Sequence, residues 1–235
     1  MTAAAAYGSV SGAGRRRLAI ATERLRAGAP VLVRDDDGAT GHLVLAAQSV
    51  DGAQLAFLIR HCSGFVRVAL ADEVCDDLLL PAAYGAARTG GRQCVAVDLV
   101  EGVGTGISAR DRARTIGRLA AADARADEFT RPGHVVPVRV DPSAPFGDPA
   151  EHAFRLVTLA GGSGAAFDTV LPLDRPIDRL GSGVLSGSGL DAFACRFGIH
   201  IVDAVDIRRA DPRPLAPIRL ASPVREAAGP VGARS

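Results

Sequence analysis

The chain has 235 residues, 48% hydrophobic and only 4% aromatic, so its core must be built from Ala, Val and Leu. Their even spread favours one large domain over two small ones. Lys and Arg together number 27 against 26 Asp and Glu; the net charge of +1 excludes the basic stripe of a nucleic-acid or anionic-membrane binder.

Every basic residue is Arg, which excludes lysine Schiff-base chemistry. No apolar run reaches transmembrane length, and the first residues lack the pattern of a secretory signal. The cysteines (62, 75, 94 and 195) show no close metal-type spacing. They are expected as reduced thiols in a cytoplasmic protein.

Residues 1–14 are small and polar and read as disordered. Leu18, Ala21 and Leu25 share one helical face, with Gly28 and Pro30 as the stop. Val31 to Val33 and Leu43 to Leu45 read as strands around Asp35–Gly41, a turn-rich acidic loop. Asp51 is placed to cap a helix carrying Leu55, Leu58 and Ile59. Phe65 to Ala69 alternates like a strand, and a loop holding Asp72, Asp76 and Pro81 follows.

The central block runs from Cys94 to His134. An apolar strand, Cys94 to Asp98, enters the glycine-dense loop Glu101–Ile107, whose glycines let the backbone approach a ligand closely. Ser108 is placed to cap the next helix with Asp111 as its reciprocal partner. Free amides at that helix start suit a phosphate or carboxylate. Arg131-Pro-Gly-His134 reads as a polar loop.

Beyond it, Val135 to Val138 is a strand that Pro137 assigns to an edge. Asp148-Pro-Ala-Glu151 has the signature of a helix start, N-cap Asp, Pro at N1 and Glu at N3. That helix is expected to stop at Gly161-Gly162. Phe167 to Leu173 reads as a strand, Asp174 to Ser188 as a loop, and Leu190 to Phe197 as a helix capped by Gly198. Ile199 to Val202 closes the series, and from Asp211 the composition suggests a flexible tail. The expected fold is a single α+β domain over residues 15–210, a mixed sheet flanked by helices.

Asp98, Gly102-Val-Gly-Thr-Gly-Ile-Ser108 with the following Ala-Arg-Asp-Arg-Ala-Arg-Thr-Ile116, and Arg131-Pro-Gly-His134 together resemble the 3,4-dihydroxy-2-butanone 4-phosphate synthase family. The resemblance spans about Leu18 to about Arg209. It implies a riboflavin-pathway lyase that acts on ribulose 5-phosphate and releases formate. It further implies Mg²⁺ as cofactor, proton-moving carboxylates, groups that hold phosphate, and a homodimer with active sites at the interface.

The matching positions give the candidate site. His134, Asp98, Asp35, Asp36 and Cys62 are the catalytic candidates, and Arg60, His61, Ser63, Thr105, Gly106, Ser108 and Arg131 the substrate-binding ones. His134 has the pKa range of a general acid/base. Each has a plainer alternative: an interface loop for residues 131–134, a turn cap for Asp98, a half-buried thiol for Cys62, a solvated turn for Asp35 and Asp36.

The chain also departs from the family pattern. Its acidic loop is shorter and lacks the Arg-Glu pair that includes a metal ligand. Pro149 stands where the metal-binding His belongs, and a phosphate-binding Arg is absent. Val170 falls at the late-strand position of a proton-transfer Glu, and Gly104-Thr105 replaces two threonines. His42, Glu151 and His152 are the candidate replacement metal ligands.

These departures define the expected function: a divergent lyase or isomerase-type enzyme acting on a small polar, sugar-phosphate-like substrate in a specialised pathway. The alternatives are a catalytically inactive dimer partner and a true synthase. Neither nucleic acid nor membrane is expected as a partner.

Overall fold

The computed structural model describes residues 10–36, 38–83, 92–141, 148–172 and 184–210. Its elements are α1 (Gly12–Arg26), β1 (Val31–Arg34), β2 (Gly41–Ala46), α2 (Gly52–His61), β3 (Arg67–Ala71), α3 (Asp72–Asp77), β4 (Arg92–Gln93) and β5 (Val97–Leu99). There follow α4 (Ala109–Leu119), β6 (Phe129–Val140), α5 (Pro149–Leu159), β7 (Gly164–Thr169), α6 (Ser188–Phe197), β8 (His200–Asp203) and α7 (Ala204–Ala210).

One mixed sheet forms the centre, in the order β4-β6-β3-β7-β2-β1-β8, with β5 paired to the first half of β6. The pairs β1–β8 and β3–β6 are parallel and the others antiparallel. β2 is buried at all six positions, so helices must cover both of its faces. Helices α1, α5 and α7 pack on one another, as do α2 and α4, while α6 joins α2 through Phe57, Phe193 and Phe197. This is the expected single α+β domain.

Local chemistry sets the helix ends. Asp51 with Gln54, and Asp148 with Glu151, form complete capping boxes, and Gly198 closes α6 in the left-handed region at φ 64°. Ser108 caps α4, accepting from the Asp111 amide at 3.0 Å. Its expected reciprocal partner does something else: the Asp111 carboxylate accepts from the Gly104 amide at 3.3 Å and so braces the glycine loop.

Several expectations are corrected. Helix α1 starts at Gly12 behind a Ser11 cap, inside the stretch read as disordered, and the Arg17 guanidinium holds it to Asp206 at 2.6 Å and Asp203 at 3.2 Å. Residues 72–77 form helix α3 rather than loop. Pro137 lies in an internal strand. Val136 gives its amide to Val66 on one side, so the Pro137 ring nitrogen points to the other, where β4 ends and its carbonyl accepts from Cys94. Helix α7 follows β8 directly and was not anticipated. Leu173, the loop from Asp174 to Val184 in most of its length, and the tail from Asp211 lie outside the described residues.

Candidate active site

Strand β6 is longer than its neighbours. Its partner β5 pairs Val97 with Val135 and the next residue, Asp98, with Thr130. The four residues Arg131–His134 therefore bulge out between two consecutive positions of β5. The polar loop expected here is a bulge inside one strand, a device that re-aims side chains beside functional sites. Gly133 makes it possible: a Cβ there would collide with the Val97–Asp98 backbone. Gly106, at φ 78°, lies so close to Asp98 that a Cβ would collide with its carboxylate.

Between these two glycines the Asp98 carboxylate is fixed. It accepts the His134 backbone amide on Oδ1 at 2.9 Å and faces His134 Nδ1 with Oδ2 at 2.7 Å. The Asp98 side chain is 11% exposed and that of His134 is 42% exposed. A nearly buried carboxylate thus holds one nitrogen of a half-exposed ring, an arrangement chemically suited to proton transfer.

Arg112 of α4 approaches from the other side and donates from Nη1 to the Gly64 carbonyl at 3.3 Å. Burial lowers its pKa, while the Asp98 and Asp168 carboxylates act against that. Asp168 is fully buried in β7, and its Oδ1 accepts from the Ser63 hydroxyl and from the Thr169 amide. Burial pushes its carboxyl up, against hydrogen bonds from Ser63 and Thr169 and the charge of Arg67. Arg67 lies 4.4 Å over the Phe167 ring and reaches the Thr169 hydroxyl at 3.3 Å.

Arg67, Arg112 and Asp168 were absent from the sequence-derived site. The signal for Asp168 was present: a lone carboxylate inside an otherwise small and apolar strand. It stands two residues before buried Val170, and alternation along β7 puts both on one face.

The other candidates divide. Thr105 and Ser108 are exposed on the glycine loop, and Ser63 is exposed beside Arg112. Arg60 is exposed, but His61 packs among Phe57, Phe197 and Phe193 with ring centroids 4.5, 4.8 and 6.1 Å away, joining α2 to α6. The Arg131 guanidinium donates to the carbonyls of Leu78 at 2.7 Å and Phe129 at 2.9 Å, which anchors the bulge to the turn after α3 rather than aiming at the dyad. Cys62 is 5% exposed, and burial pushes its thiol far up, the reverse of an activated thiolate. It is removed from the catalytic candidates.

Asp35 and Asp36 are also committed within the chain. Asp35 meets the Thr40 hydroxyl and His42 Nε2, the latter at 3.2 Å. Burial alone would raise its carboxyl, but the His42 and Thr40 hydrogen bonds hold it below the usual carboxylate range. Asp36 pairs with Arg208 of α7, and Arg208 Nη1 lies 3.0 Å from His152 Nε2. Glu151 completes the α5 capping box.

Mg²⁺, which the family resemblance implies, would need several of these oxygens and nitrogens to converge. Among the described residues no group of three or more His, Cys, Asp or Glu does so; Asp35 already hydrogen-bonds His42, and Asp36 pairs with Arg208. A groove of about 830 Å³ runs along α4 past Gly102, Arg114 and Arg118, but neither Asp98 nor His134 lines it.

The mixed α+β sheet thus carries the Asp98–His134 pair on a glycine-pinned bulge. The family model of 3,4-dihydroxy-2-butanone 4-phosphate synthase matches residues 19–210, and the chain belongs to that family of lyase-type enzymes of riboflavin biosynthesis.

Among its relatives, a riboflavin biosynthesis protein RibBA from Nocardia farcinica is 43% identical over 143 residues, covering 58% of this chain and 34% of the relative. RibBA of Mycobacterium tuberculosis is 36% identical over 191 residues, 78% of this chain and 44% of the relative. The chain thus spans less than half the length of these curated relatives.

A crystal structure of 3,4-dihydroxy-2-butanone 4-phosphate synthase with two magnesium ions superposes with a TM-score of 0.74 at 31% identity, covering 81% of this chain and 94% of that one. The Candida albicans synthase gives 0.73 at 29% identity, over 82% and 96% of the two chains. No helix among the described residues is long and apolar enough to cross a membrane.

Proposed function

We propose that this chain is a divergent member of its family, a lyase or isomerase-type enzyme that moves protons on a small polyhydroxylated substrate of the ribulose 5-phosphate class. The observation that carries this reading is the 2.7 Å contact of His134 Nδ1 with Asp98, beside an accessible ring edge. A histidine held this way exchanges a proton at Nε2 with a carbon or oxygen of the ligand. The exposed residues Thr105 and Ser108, at the start of α4, suit the phosphate.

No step is assigned to a divalent ion; of the acidic-loop carboxylates, Asp35 hydrogen-bonds His42 and Asp36 pairs with Arg208. Exposed apolar side chains at Phe65 and Ile107 follow Gly64 and Gly106 at the edge of the site. They support a homodimer in which a second copy covers this face.

The test is to incubate the purified chain with ribulose 5-phosphate in D₂O, with and without Mg²⁺, following hydrogen exchange at the sugar carbons by NMR and formate release by enzymatic assay. Exchange without formate supports the divergent reading. Mg²⁺-dependent formate release would establish a true synthase instead. Neither exchange nor formate, beside an active family member, would exclude this substrate.

A further inference from the structure

Behind the Asp98–His134 pair lies a second carboxylate-centred arrangement. Asp168 is fully buried, and its Oδ1 is held by the Ser63 hydroxyl and the Thr169 amide, the latter at 2.7 Å. Ser63 itself is exposed. Its backbone amide donates to the Thr169 carbonyl at 3.0 Å, so the segment after α2 is fastened to β7 at both backbone and side chain. We propose that the Ser63 hydroxyl is a second proton-transfer group of this site, polarised and positioned by Asp168, and that it accepts a hydroxyl of the ligand. The proposal deepens the functional reading above and rests on it.

The hydrogen-bond inventory of Ser63 makes the argument specific. A hydroxyl has one donor and two acceptor positions. The donor is directed at Asp168, and the Phe65 amide occupies one acceptor position at 3.2 Å. The remaining lone pair belongs to an exposed oxygen that has no proton of its own to give outward. It therefore recognises a hydroxyl and rejects a carbonyl or a bare phosphate oxygen. Gly64, next to Ser63 at φ 79°, has no described residue within 4 Å of where a side chain would begin.

Arg112 ties the two arrangements together. It hydrogen-bonds the carbonyl of Gly64, next to Ser63, and its charge is supported by both Asp98 and Asp168. Its Nε and Asp168 Oδ2 are buried without a hydrogen bond among the described residues. A guanidinium seated on the Gly64 carbonyl, with its charge supported by the two carboxylates that hold His134 and Ser63, suits a vicinal hydroxy-carbonyl ligand. Negative charge built on its oxygens is stabilised by Arg112 while protons leave toward His134 and Ser63.

The transfer at Ser63 is balanced. The ligand O–H bond breaks and an O–H bond forms on Ser63 as its own proton passes to Asp168 Oδ1. The ligand oxygen takes the negative charge and Asp168 becomes neutral; the reverse transfer restores both. Burial, which pushes the Asp168 carboxyl up, favours that neutral state.

The test compares wild type, Ser63→Ala, Ser63→Thr and Asp168→Asn in the ribulose 5-phosphate exchange experiment, with affinity for the same sugar phosphate measured by calorimetry. Ser63→Ala and Asp168→Asn are expected to slow exchange about 100-fold with affinity changed less than about threefold, and Ser63→Thr to restore most of it. Asp168→Asn should also change the pH profile of the exchange rate. Losses that appear wholly as weakened binding, or a Ser63→Ala protein that exchanges like wild type, overturn the proposal.

A wild type that does not exchange the sugar phosphate would defeat the functional reading, so a second measurement addresses the pair alone. Carboxyl ¹³C NMR of Asp168 should titrate at higher pH in Ser63→Ala than in wild type. An unchanged titration would show that the hydroxyl does not polarise against Asp168, and the proposal falls.

Discussion

Asp98 holds His134 at two points, its Oδ1 on the backbone amide at 2.9 Å and its Oδ2 on ring Nδ1 at 2.7 Å. The double contact fixes both where the bulge lies and how the ring is turned. It also assigns the tautomer: a neutral ring gives its Nδ1 proton to the carboxylate and keeps Nε2 as the acceptor. Position and ring orientation are therefore set by the same carboxylate.

Replacing His134 by Gln removes the proton carrier while the backbone contact to Asp98 remains. Hydrogen exchange on ribulose 5-phosphate is expected to fall at least about 100-fold, with stability changed by less than about 1 kcal/mol because the ring is half exposed. Asp98→Asn should slow exchange similarly and also loosen the bulge. Rate and urea midpoint measured together decide the matter. A His134→Gln protein with near-wild-type exchange would remove the dyad from the chemistry.

The two glycines against Asp98 should separate stability from function. At Gly133 a new methyl group meets rigid backbone, so Gly133→Ala is expected to cost about 2 kcal/mol or more, read as a lowered melting temperature. At Gly106 the obstruction is the Asp98 carboxylate itself. Gly106→Ala is therefore expected to displace that group and slow exchange more than it lowers stability, apart from about 1 kcal/mol for positive φ.

Asp98 and His134 could be named as separate candidates from the sequence because they flank compact local signals, a glycine loop and Arg131-Pro-Gly-His134; their contact, across 36 positions, could not. The caps at Asp51, Ser108 and Asp148 were legible for the same reason, since each depends on residues within one turn. What failed was long-range. Arg131 looked like a ligand anchor because nothing local revealed the Leu78 carbonyl, 53 positions away. Pro137 looked like an edge residue because its neighbour β4 lies more than 40 positions earlier in the chain. Asp36 and Arg208 are 172 positions apart, and only the fold brings the acidic loop onto α7. The charges of the loop were visible, but not the cations that answer them.

Cys62 and Cys195 offer a chemical check on burial. Cys195 is exposed, whereas Cys62 is buried with its thiol pushed up. Iodoacetamide on the native protein is expected to modify Cys195 and leave Cys62 intact, as read by peptide mass spectrometry. Cys62→Ala should cost about 1 kcal/mol through lost packing and leave exchange kinetics unchanged. Rapid labelling of Cys62 would return it to the catalytic candidates.

The pH dependence of stability should be governed on the acid side by His152. Its ring is buried on α5, and burial, with the nearby Arg208 charge, pulls its pKa down to about 4; Asp35 and Asp36 oppose that shift. The unfolded chain binds the proton near the ordinary value of about 6.5, so between these two values the unfolded state carries more proton than the folded one. Stability is therefore fully present above about pH 6.5 and is lost as pH falls toward about 4.

Taking about pH 7.5 and about pH 5 as end points, the shift corresponds to a loss of about 2 kcal/mol from this group. Urea denaturation of wild type and His152→Gln at both pH values isolates it. The variant is expected to lack that increment of acid sensitivity, whatever its stability at neutral pH. An equal acid loss in both proteins would mean that His152 titrates normally and that its ring is reached by water in the folded state.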